Sequence, residues 1–341
     1  MKSWLLAGLF ACLTITAAAA QDLAAYPAYV PDTTVTGTLT IWGNDGMANL
    51  ERLWEASFHR FQPQVSFDVH LVSTAAGIGG LYAGHADLAY MGRDIWQVED
   101  LGFTKTFGYH PTRFVATTGA YDVEGKTFPM VVFINKDNPL RGLKLAQLDA
   151  LFGTERKLGA PKAIHTWGEL GLTGEWADKP IHLYAYSNDS GFGIFFSAAT
   201  MGGSSKWNCD INQFDNLVDA NGKTTTPAGK RILEALAPDK YGLAYSTIRY
   251  ITSEEKTVPI AVDAKSPFVA PTRANVLDRS YPLARDIPIY INLAPGKALD
   301  PKLREFLLFI LSREGQEAVI KEGEYLPLPA SLVTQQRQRL K

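Results

Sequence analysis

Four short loops of small and polar residues carry most of the side chains that could bind a compact ligand. They are residues 43–47, 73–77, 92–94 and 187–192. Thr74 and Ser190 supply neutral hydroxyl donors there, and Arg93 supplies a cation. Each loop precedes a segment of helical character, and helix N-termini present spare N–H groups that attract anions. The loops therefore favour a small-anion site, although one such loop alone is also typical of an ordinary turn or helix cap.

Sequence signatures of catalysis and of metal binding are missing. There is no G-x-S-x-G, H-E-x-x-H or Walker motif, and the six histidines lack the spacing of metal ligands. Two cysteines cannot form a cysteine-rich metal site. The sequence thus predicts a protein that is not an enzyme and that holds no metal and no cofactor.

Composition restricts the class of protein further. A chain of 341 residues suggests about two globular units, and 46% hydrophobic residues with 11% aromatics exclude disorder. The formal charge is −2 and no basic block is present, so nucleic acid is not an expected partner.

The N-terminus has the pattern of a signal peptide. Lys2 precedes an apolar run over 4–15 and small residues over 17–20, which predicts cleavage after Ala20 and export to the periplasm. A polar lead-in is expected over 21–36. A weak lipoprotein-like run before Cys12 leaves lipidation of that residue as an alternative.

Hydrophobic periodicity predicts alternating strands and helices. Residues 65–71 alternate with a period of two, whereas Leu50, Trp54 and Phe58 recur at helical spacing. Further strands are expected at 39–42, 88–91, 130–134, 181–186, 241–245 and 287–291, and further helices at 145–152, 190–199, 226–236 and from 301. This alternation predicts an α/β protein with largely parallel sheets. No linker separates sequential domains, so two lobes that share the chain by crossing back are expected.

Several motifs, taken in order, resemble a known family. They are G-N-D-G-M at 43–47, S-T-A-A-G-I at 73–78, D-L-A-Y-M-G-R at 87–93, V-F-I-N-K-D-N-P-L at 132–140, L-F-G at 151–153, S-G at 190–191, Y-G-L-A-Y-S at 241–246 and Y-P-L-A-R at 281–285. From about residue 37 to 328 the chain resembles the phosphate-binding proteins of Pst-type ABC transporters, which have the type II periplasmic solute-binding fold.

The resemblance implies a two-lobed fold in which each lobe is a mainly parallel sheet flanked by helices. Lobe I is expected over 37–115 and 255–341, and lobe II over 116–254. It also implies a monomeric receptor that captures a small oxyanion, inorganic phosphate above all, and delivers it to the permease subunits of an ABC transporter.

The resemblance further implies a set of ligand-binding residues: Asp45, Gly46, Thr74, Ala75, Arg93, Tyr186, Ser190, Gly191 and Phe192. The family usually has an arginine where this chain has Tyr186, and a threonine at Phe192. Arg93 is the expected replacement cation. Asp45 would accept the proton of hydrogen phosphate or would instead cap the following helix.

Three other functions stay open at this stage. The aromatic rings of Tyr186 and Phe192 suit a phosphonate or another organic anion, and the same fold could serve a sensor complex rather than a transporter. A periplasmic phosphohydrolase is the least favoured alternative, because no nucleophile–base pair is visible.

Overall fold

The structure, a computed structural model, describes residues 23–340, so the predicted signal peptide lies outside the described residues. Two five-stranded sheets with flanking helices form two lobes. Each lobe has its own large cluster of buried apolar side chains, one around Leu39 and Phe309 and the other around Phe133 and Tyr245. The α/β class and the two lobes expected from the sequence are confirmed.

The elements follow one another in three stretches of chain. The first stretch holds β1 (Gly37–Gly43), α1 (Ala48–Phe58), β2 (Val65–Leu71), α2 (Thr74–Tyr82), β3 (Leu88–Tyr90), α3 (Gln97–Phe107) and β4 (Thr112–Thr118). The second holds β5 (Val131–Asn135), β6 (Leu143–Lys144), α4 (Leu145–Phe152), β7 (His182–Tyr186), α5 (Gly191–Thr200), β8 (Ile211–Phe214), β9 (Leu217–Val218), β10 (Thr224–Thr226), α6 (Ala228–Leu236), β11 (Gly242–Ser246), β12 (Glu255–Thr257), β13 (Ile260–Ala261) and α7 (Arg273–Leu277). The third holds β14 (Asp286–Ile291), α8 (Pro301–Ile310), α9 (Arg313–Glu322) and α10 (Ala330–Gln338).

Both five-stranded sheets are mixed. The first has the order β2-β1-β3-β14-β4, in which β1 pairs parallel with β2 and β3, while β14 pairs antiparallel with β3 and β4. The second has the order β12-β5-β11-β7-β8, in which β7 pairs parallel with β8 and β11, while β5 pairs antiparallel with β11 and β12.

The antiparallel pairs arise where the chain enters a lobe. β14 and β5 are the first strands of their sheets after a crossing between lobes, so they start at the lobe interface. β1, β3 and β7 end at that interface instead. A strand that starts where its neighbours end must run antiparallel to them. The expectation of mainly parallel sheets therefore holds for one side of each sheet, β2-β1-β3 in the first and β11-β7-β8 in the second.

The return to the first lobe comes later than residue 255. β12 pairs with β5, β13 pairs with β6, and Leu283 still packs in the second core, whereas Ile287 belongs to the first. The first crossing likewise follows β4, after Thr118 rather than at 115. The crossing segments are therefore 119–130 and 284–285, and the expected boundaries at 116 and 255 are corrected accordingly.

Local sequence explains the helix starts that matter for the lobe interface. Ser73 and Ser190 cap α2 and α5, since their hydroxyl oxygens accept hydrogen bonds from the backbone N–H groups of Ala76 and Gly193. Asp300 caps α8 in the same way, with Pro301 in the first turn, as its sequence predicts. The caps fix where each helix begins and which N–H groups stay unpaired.

A buried carboxyl group lies beneath the first of the loops. Glu51 of α1 is 1% exposed, and its Oε2 accepts a hydrogen bond of 2.5 Å from the Tyr90 hydroxyl, while its Oε1 has no partner among the described residues. Burial raises the pKa of Glu51 to about 8. Its carboxyl group therefore holds a proton in the folded protein over a pH range in which the unfolded chain has lost it.

This raised pKa predicts how stability depends on pH. Between about pH 5 and pH 8 the folded state binds one proton more at Glu51 than the unfolded state, so the free energy of unfolding falls as pH rises, by roughly 1 kcal/mol per pH unit. Glu51→Gln removes this contribution, and its stability relative to the wild type should increase steadily toward pH 8. Urea denaturation at several pH values measures the slope.

The exposed Glu317 on α9 offers a matched control, because Glu317→Gln removes a carboxylate without removing a buried one. The same pH slope in wild type and Glu51→Gln would contradict the raised pKa.

Candidate functional site

A cavity of about 360 Å³ lies between the two lobes. The first lobe lines it with Thr74, Gly92 and Arg93. The second lobe contributes mainly the end of β7 and the start of α5, and the crossing segments contribute residues 125–127 and Arg285. Loops at the carboxyl ends of strands from both sheets therefore meet at one place, which is where open α/β sheets bind ligands.

The wall from the first lobe is ordered by Asn44. Its Oδ1 accepts a hydrogen bond of 2.7 Å from the Gly46 N–H, and its Nδ2 donates one of 2.7 Å to Thr74 Oγ1. The same Thr74 oxygen accepts a 3.2 Å bond from the Gly92 N–H. The Thr74 hydroxyl proton remains available to a ligand, and so do the N–H groups of Thr74 and Ala75 at the start of α2.

The wall from the second lobe is the N-terminus of α5. The Ser190 hydroxyl donates to the Ser187 carbonyl at 2.6 Å and accepts from the Gly193 N–H at 3.0 Å, so its bonding capacity is used within the loop. The N–H groups of Gly191 and Phe192 belong to the first turn and have no intrahelical partner. A Cβ atom at Gly191 would lie 3.8 Å from Arg93 Cδ, which shows how closely the two lobes approach.

Arg93 is already paired. Its two terminal nitrogens donate to the two carboxylate oxygens of Glu99 at 2.7 and 2.9 Å, and its guanidinium lies 3.8 Å from the ring centre of Trp96. Glu99 also accepts from the Trp96 N–H at 2.7 Å. Arg93 thus borders the cavity with much of its charge neutralised.

Lys126, in the first crossing segment, is held in a similar way. Its Nζ lies 2.9 Å from Glu322 and 2.6 Å from Glu324, and it donates to the Gly46 carbonyl at 2.6 Å. The lysine therefore ties the crossing segment to the first lobe rather than offering a free charge to the cavity.

Arg285, in the second crossing segment, lines the cavity and is 4% exposed. Its guanidinium lies 4.7 Å from the ring centre of Phe195 and 5.6 Å from that of Phe192. Burial lowers its pKa to about 10, so it is protonated at neutral pH. The sequence placed this residue in a family motif but gave no sign that it would reach the cavity, because the chain position says nothing of the side chain's direction.

Aromatic side chains make up the apolar part of the cavity wall. The Tyr186 ring lies 4.5 Å from the Phe192 ring, which stacks on Phe128 at 5.2 Å. Burial raises the pKa of the Tyr186 hydroxyl far above its ordinary value, so Tyr186 stays neutral. An expected anion clamp is thus replaced by an uncharged wall at this position.

The residues expected from the sequence fall into two groups. The structure brings to one cavity Thr74, Arg93, Tyr186, Ser190, Gly191 and Phe192. Asp45, Gly46 and Ala75 lie in the same loops but do not line it. Phe214, Asp215 and Asn216, at the end of β8, do line it and were not anticipated, since no motif marks them.

Asp45 does not cap the helix that follows it. Its side chain is exposed, and the helical turn that starts there is capped by the preceding Asn44. The interpretation of Asp45 as a helix cap is therefore corrected: Asn44 is the capping residue. The ligand contact expected for Asp45 stays a prediction, with its side chain exposed beside the cavity.

Residues 23–340 show neither a metal-ion site nor a membrane-spanning helix. That part of the chain contains no group of three or more His, Cys, Asp or Glu side chains placed to hold a metal ion. It also contains no helix with the length and apolar character needed to cross a membrane.

Two lobes with separate sheets and a cavity lined from both are the features of a bilobal solute-binding protein. A family model described as a PBP superfamily domain matches residues 30–314. The phosphate-binding protein PstS of Pseudomonas aeruginosa is 34% identical over 332 residues, which are 95% of this chain and 95% of that protein. The chain therefore belongs to the PBP superfamily and, within it, to the family of PstS phosphate-binding proteins.

More distant relatives share the fold. Protein SphX of Synechococcus elongatus is 25% identical over 87% of this chain and 80% of its own length. PstS from Borrelia burgdorferi superposes with a TM-score of 0.54 at 13% identity, covering 86% of this chain and 99% of that one. An ABC-type phosphate transport receptor from Vibrio cholerae superposes with a TM-score of 0.51 at 18% identity, covering 85% and 100%.

Close packing around Gly92 gives a test of the first-lobe wall. A Cβ atom there would overlap Asn44 Nδ2 and lie 3.0 Å from Thr74 Oγ1. Gly92→Ala should therefore break the Asn44–Thr74 hydrogen bond and destabilise the protein by about 1–3 kcal/mol, measured by chemical denaturation.

Gly79, inside α2, provides the matched control because a Cβ atom there meets nothing within 4 Å. Gly79→Ala should leave stability unchanged or raise it by up to about 1 kcal/mol. Equal stability of the two variants would show that Gly92 is not needed for the close approach.

Proposed function

We propose that this protein captures inorganic phosphate between its lobes and delivers it to an ABC transporter. The observation that carries the proposal is the convergence of two helix N-termini, α2 from the first lobe and α5 from the second, on one cavity that also contains Arg285. Unpaired N–H groups at helix N-termini bind phosphate oxygens well. The names of the relatives in Pseudomonas aeruginosa and Vibrio cholerae point to the same ligand.

Binding from both sides supports capture by closure of the lobes. An anion that contacts α2 and α5 together is held more tightly when the lobes are close than when they are apart. The ligand thereby stabilises the closed form, and a permease could recognise that form as loaded. The role is that of a receptor, with no catalytic step.

The setting of this function follows from the N-terminal pattern and the family. We propose that cleavage after Ala20 releases the protein into the periplasm, where it works as a monomer with permease subunits as its partners. The resemblance of residues 1–20 to a signal peptide supports the export step.

One observation favours a second candidate ligand. A tetrahedral oxyanion has only five heavy atoms, whereas cavities from about 300 Å³ upward hold drug-sized molecules. The cavity measures about 360 Å³ and has the rings of Tyr186, Phe192 and Phe214 in its wall. An organic phosphonate would fill this space more completely than phosphate does.

The two candidates are separated by titration of the ligand-stripped protein with phosphate, arsenate, sulfate, methylphosphonate and phenylphosphonate, followed by calorimetry and thermal shift. We expect phosphate and arsenate to bind and to raise the Tm. Tighter binding of phenylphosphonate than of phosphate would favour the organic anion. Binding of none of them would overturn the proposed function.

The pairing of Arg93 with Glu99 predicts opposite effects for their variants. Glu99→Gln removes a negative charge near the cavity but keeps an acceptor for the Trp96 N–H, so phosphate affinity should rise roughly three- to tenfold at low salt. Arg93→Ala should lower it by about tenfold. Calorimetry measures both.

Glu175, on the outer surface of the second lobe, pairs with Lys240 and supplies the control carboxylate. Glu175→Gln should leave affinity unchanged. A fall in affinity on Glu99→Gln would show that the ion pair holds the cavity wall in shape rather than tuning its charge.

A further inference from the structure

Among the described cations that line the cavity, Arg285 is the one that combines three properties. It is 4% exposed, it lines the cavity, and it makes no side-chain hydrogen bond or ion pair with any residue of 23–340. Its contacts with the protein are the rings of Phe192 and Phe195. A guanidinium has five N–H donors, and leaving them unpaired in a buried place is costly.

The neighbouring carboxylates form no hydrogen bond with Arg285, because each accepts hydrogen bonds from other side chains. Asp94 accepts from Arg113 Nε at 2.5 Å and from the Tyr290 hydroxyl at 2.9 Å. Asp286, the next residue along the chain, accepts from Arg113 and Arg279. The acids at this edge of the first sheet thus accept hydrogen bonds from other side chains, and Asp94 acts on Arg285 only as a nearby charge.

The other cations around the cavity contrast with Arg285. Arg93 is neutralised by Glu99, and Lys126 by Glu322 and Glu324. Position 186, where the family resemblance predicts an arginine, holds a neutral tyrosine whose ring packs on Phe192. Of the three described cations that line the cavity, Arg285 is therefore the one without an ion pair. Asp94 attracts it through space without a hydrogen bond, and Asp215 is a carboxylate in the same cavity wall.

We propose that Arg285 is the residue that binds the anion as its counter-charge, so that the positive charge of this site comes from the crossing segment instead of from position 186. The proposal rests on the proposed function, since it assigns the cation of that same site. A guanidinium donates two parallel hydrogen bonds to two oxygens of one tetrahedral anion, which suits phosphate, arsenate or a phosphonate group.

The position of Arg285 also affects which substituents a bound anion could carry. Arg285 also borders a smaller cavity of about 90 Å³. Its lining includes the apolar side chains of Ile95, Trp96, Ile194 and Phe195, together with Asp94 and Asp286, whose carboxylates are bound to Arg113 and Arg279. An anionic group on Arg285 therefore has apolar surface close by, and a short apolar substituent could extend toward it. The charged part of the ligand is thus fixed by Arg285, and the room beside it sets the substituent that is tolerated.

The assignment predicts an unusual pair of effects for Arg285→Met, which keeps the side-chain length and removes the charge. Phosphate affinity should fall on the order of 100-fold, because the counter-charge of a buried anion is lost. The Tm of the ligand-free protein should instead rise by about 2–4 °C, since an uncompensated buried charge is removed. Calorimetry and thermal denaturation of ligand-stripped protein measure the two.

Two further variants keep the test decisive. Arg279→Met removes a guanidinium that is paired with Asp286 outside the cavity, so it should lower the Tm and leave phosphate affinity unchanged. Arg285→Lys keeps the charge but loses the paired donors, and it should bind more weakly than wild type yet more tightly than Arg285→Met.

The outcomes separate this proposal from the proposed function. If wild type and Arg285→Met bind phosphate within threefold of each other, the role of Arg285 is wrong and the receptor function stands. A Tm for ligand-free Arg285→Met as low as that of Arg279→Met would give Arg285 a structural role and also overturn the proposal. If wild type binds another anion of the panel but not phosphate, and Arg285→Met loses that binding, Arg285 is confirmed and phosphate is the wrong ligand.

Discussion

A buried guanidinium without an ion pair is costly to hold in a protein until an anion binds to it. Arg285 lines the cavity between the lobes in this way, since it is buried and has no salt bridge with residues 23–340. The adjacent acids Asp94 and Asp286 form their ion pairs with Arg113 and Arg279 instead of with Arg285. On the proposed role of Arg285, part of the free energy of anion binding is the relief of this cost. The surrounding elements hold the guanidinium at the cavity wall between the rings of Phe192 and Phe195.

The crossing segments put this charge between the lobes. Strands that end at the interface deliver loops and helix N-termini from each side, whereas β14 and β5 start there and carry the chain back. Arg285 directly precedes β14, and Lys126 and Thr127 lie in the other crossing segment. Thr127 also donates a 2.5 Å hydrogen bond to the Gly92 carbonyl, which ties the crossing segment to the first-lobe wall. A ligand at this place touches both lobes and the connection between them, which is the geometry that closure of a bilobal receptor requires.

Overall charge contributes little to such recognition. The chain carries a formal charge of −2, and two of the cations at the cavity are paired with carboxylates. In the proposed function, the anion is attracted by groups within a few ångströms, that is, by helix N–H donors, the Thr74 hydroxyl and the Arg285 guanidinium. Screening by salt affects such short, partly buried contacts less than it affects a long-range field. The protein can therefore be acidic and still select an anion.

Strand and helix positions and helix caps could be predicted from the sequence, because they depend on neighbouring residues along the chain. Alternation over 65–71 predicted β2 at its observed bounds, the run over 145–152 predicted α4, and Ser190 and Asp300 were recognisable as helix caps. Caps and periodicity are local, because the groups involved lie within four residues of one another. Tertiary structure alone decided the direction of β14, the late return of the chain after 283, the outward side chain of Asp45 and the inward one of Arg285. Each of these depends on contacts between segments far apart in sequence, and no local pattern encodes which way a side chain turns when such segments meet.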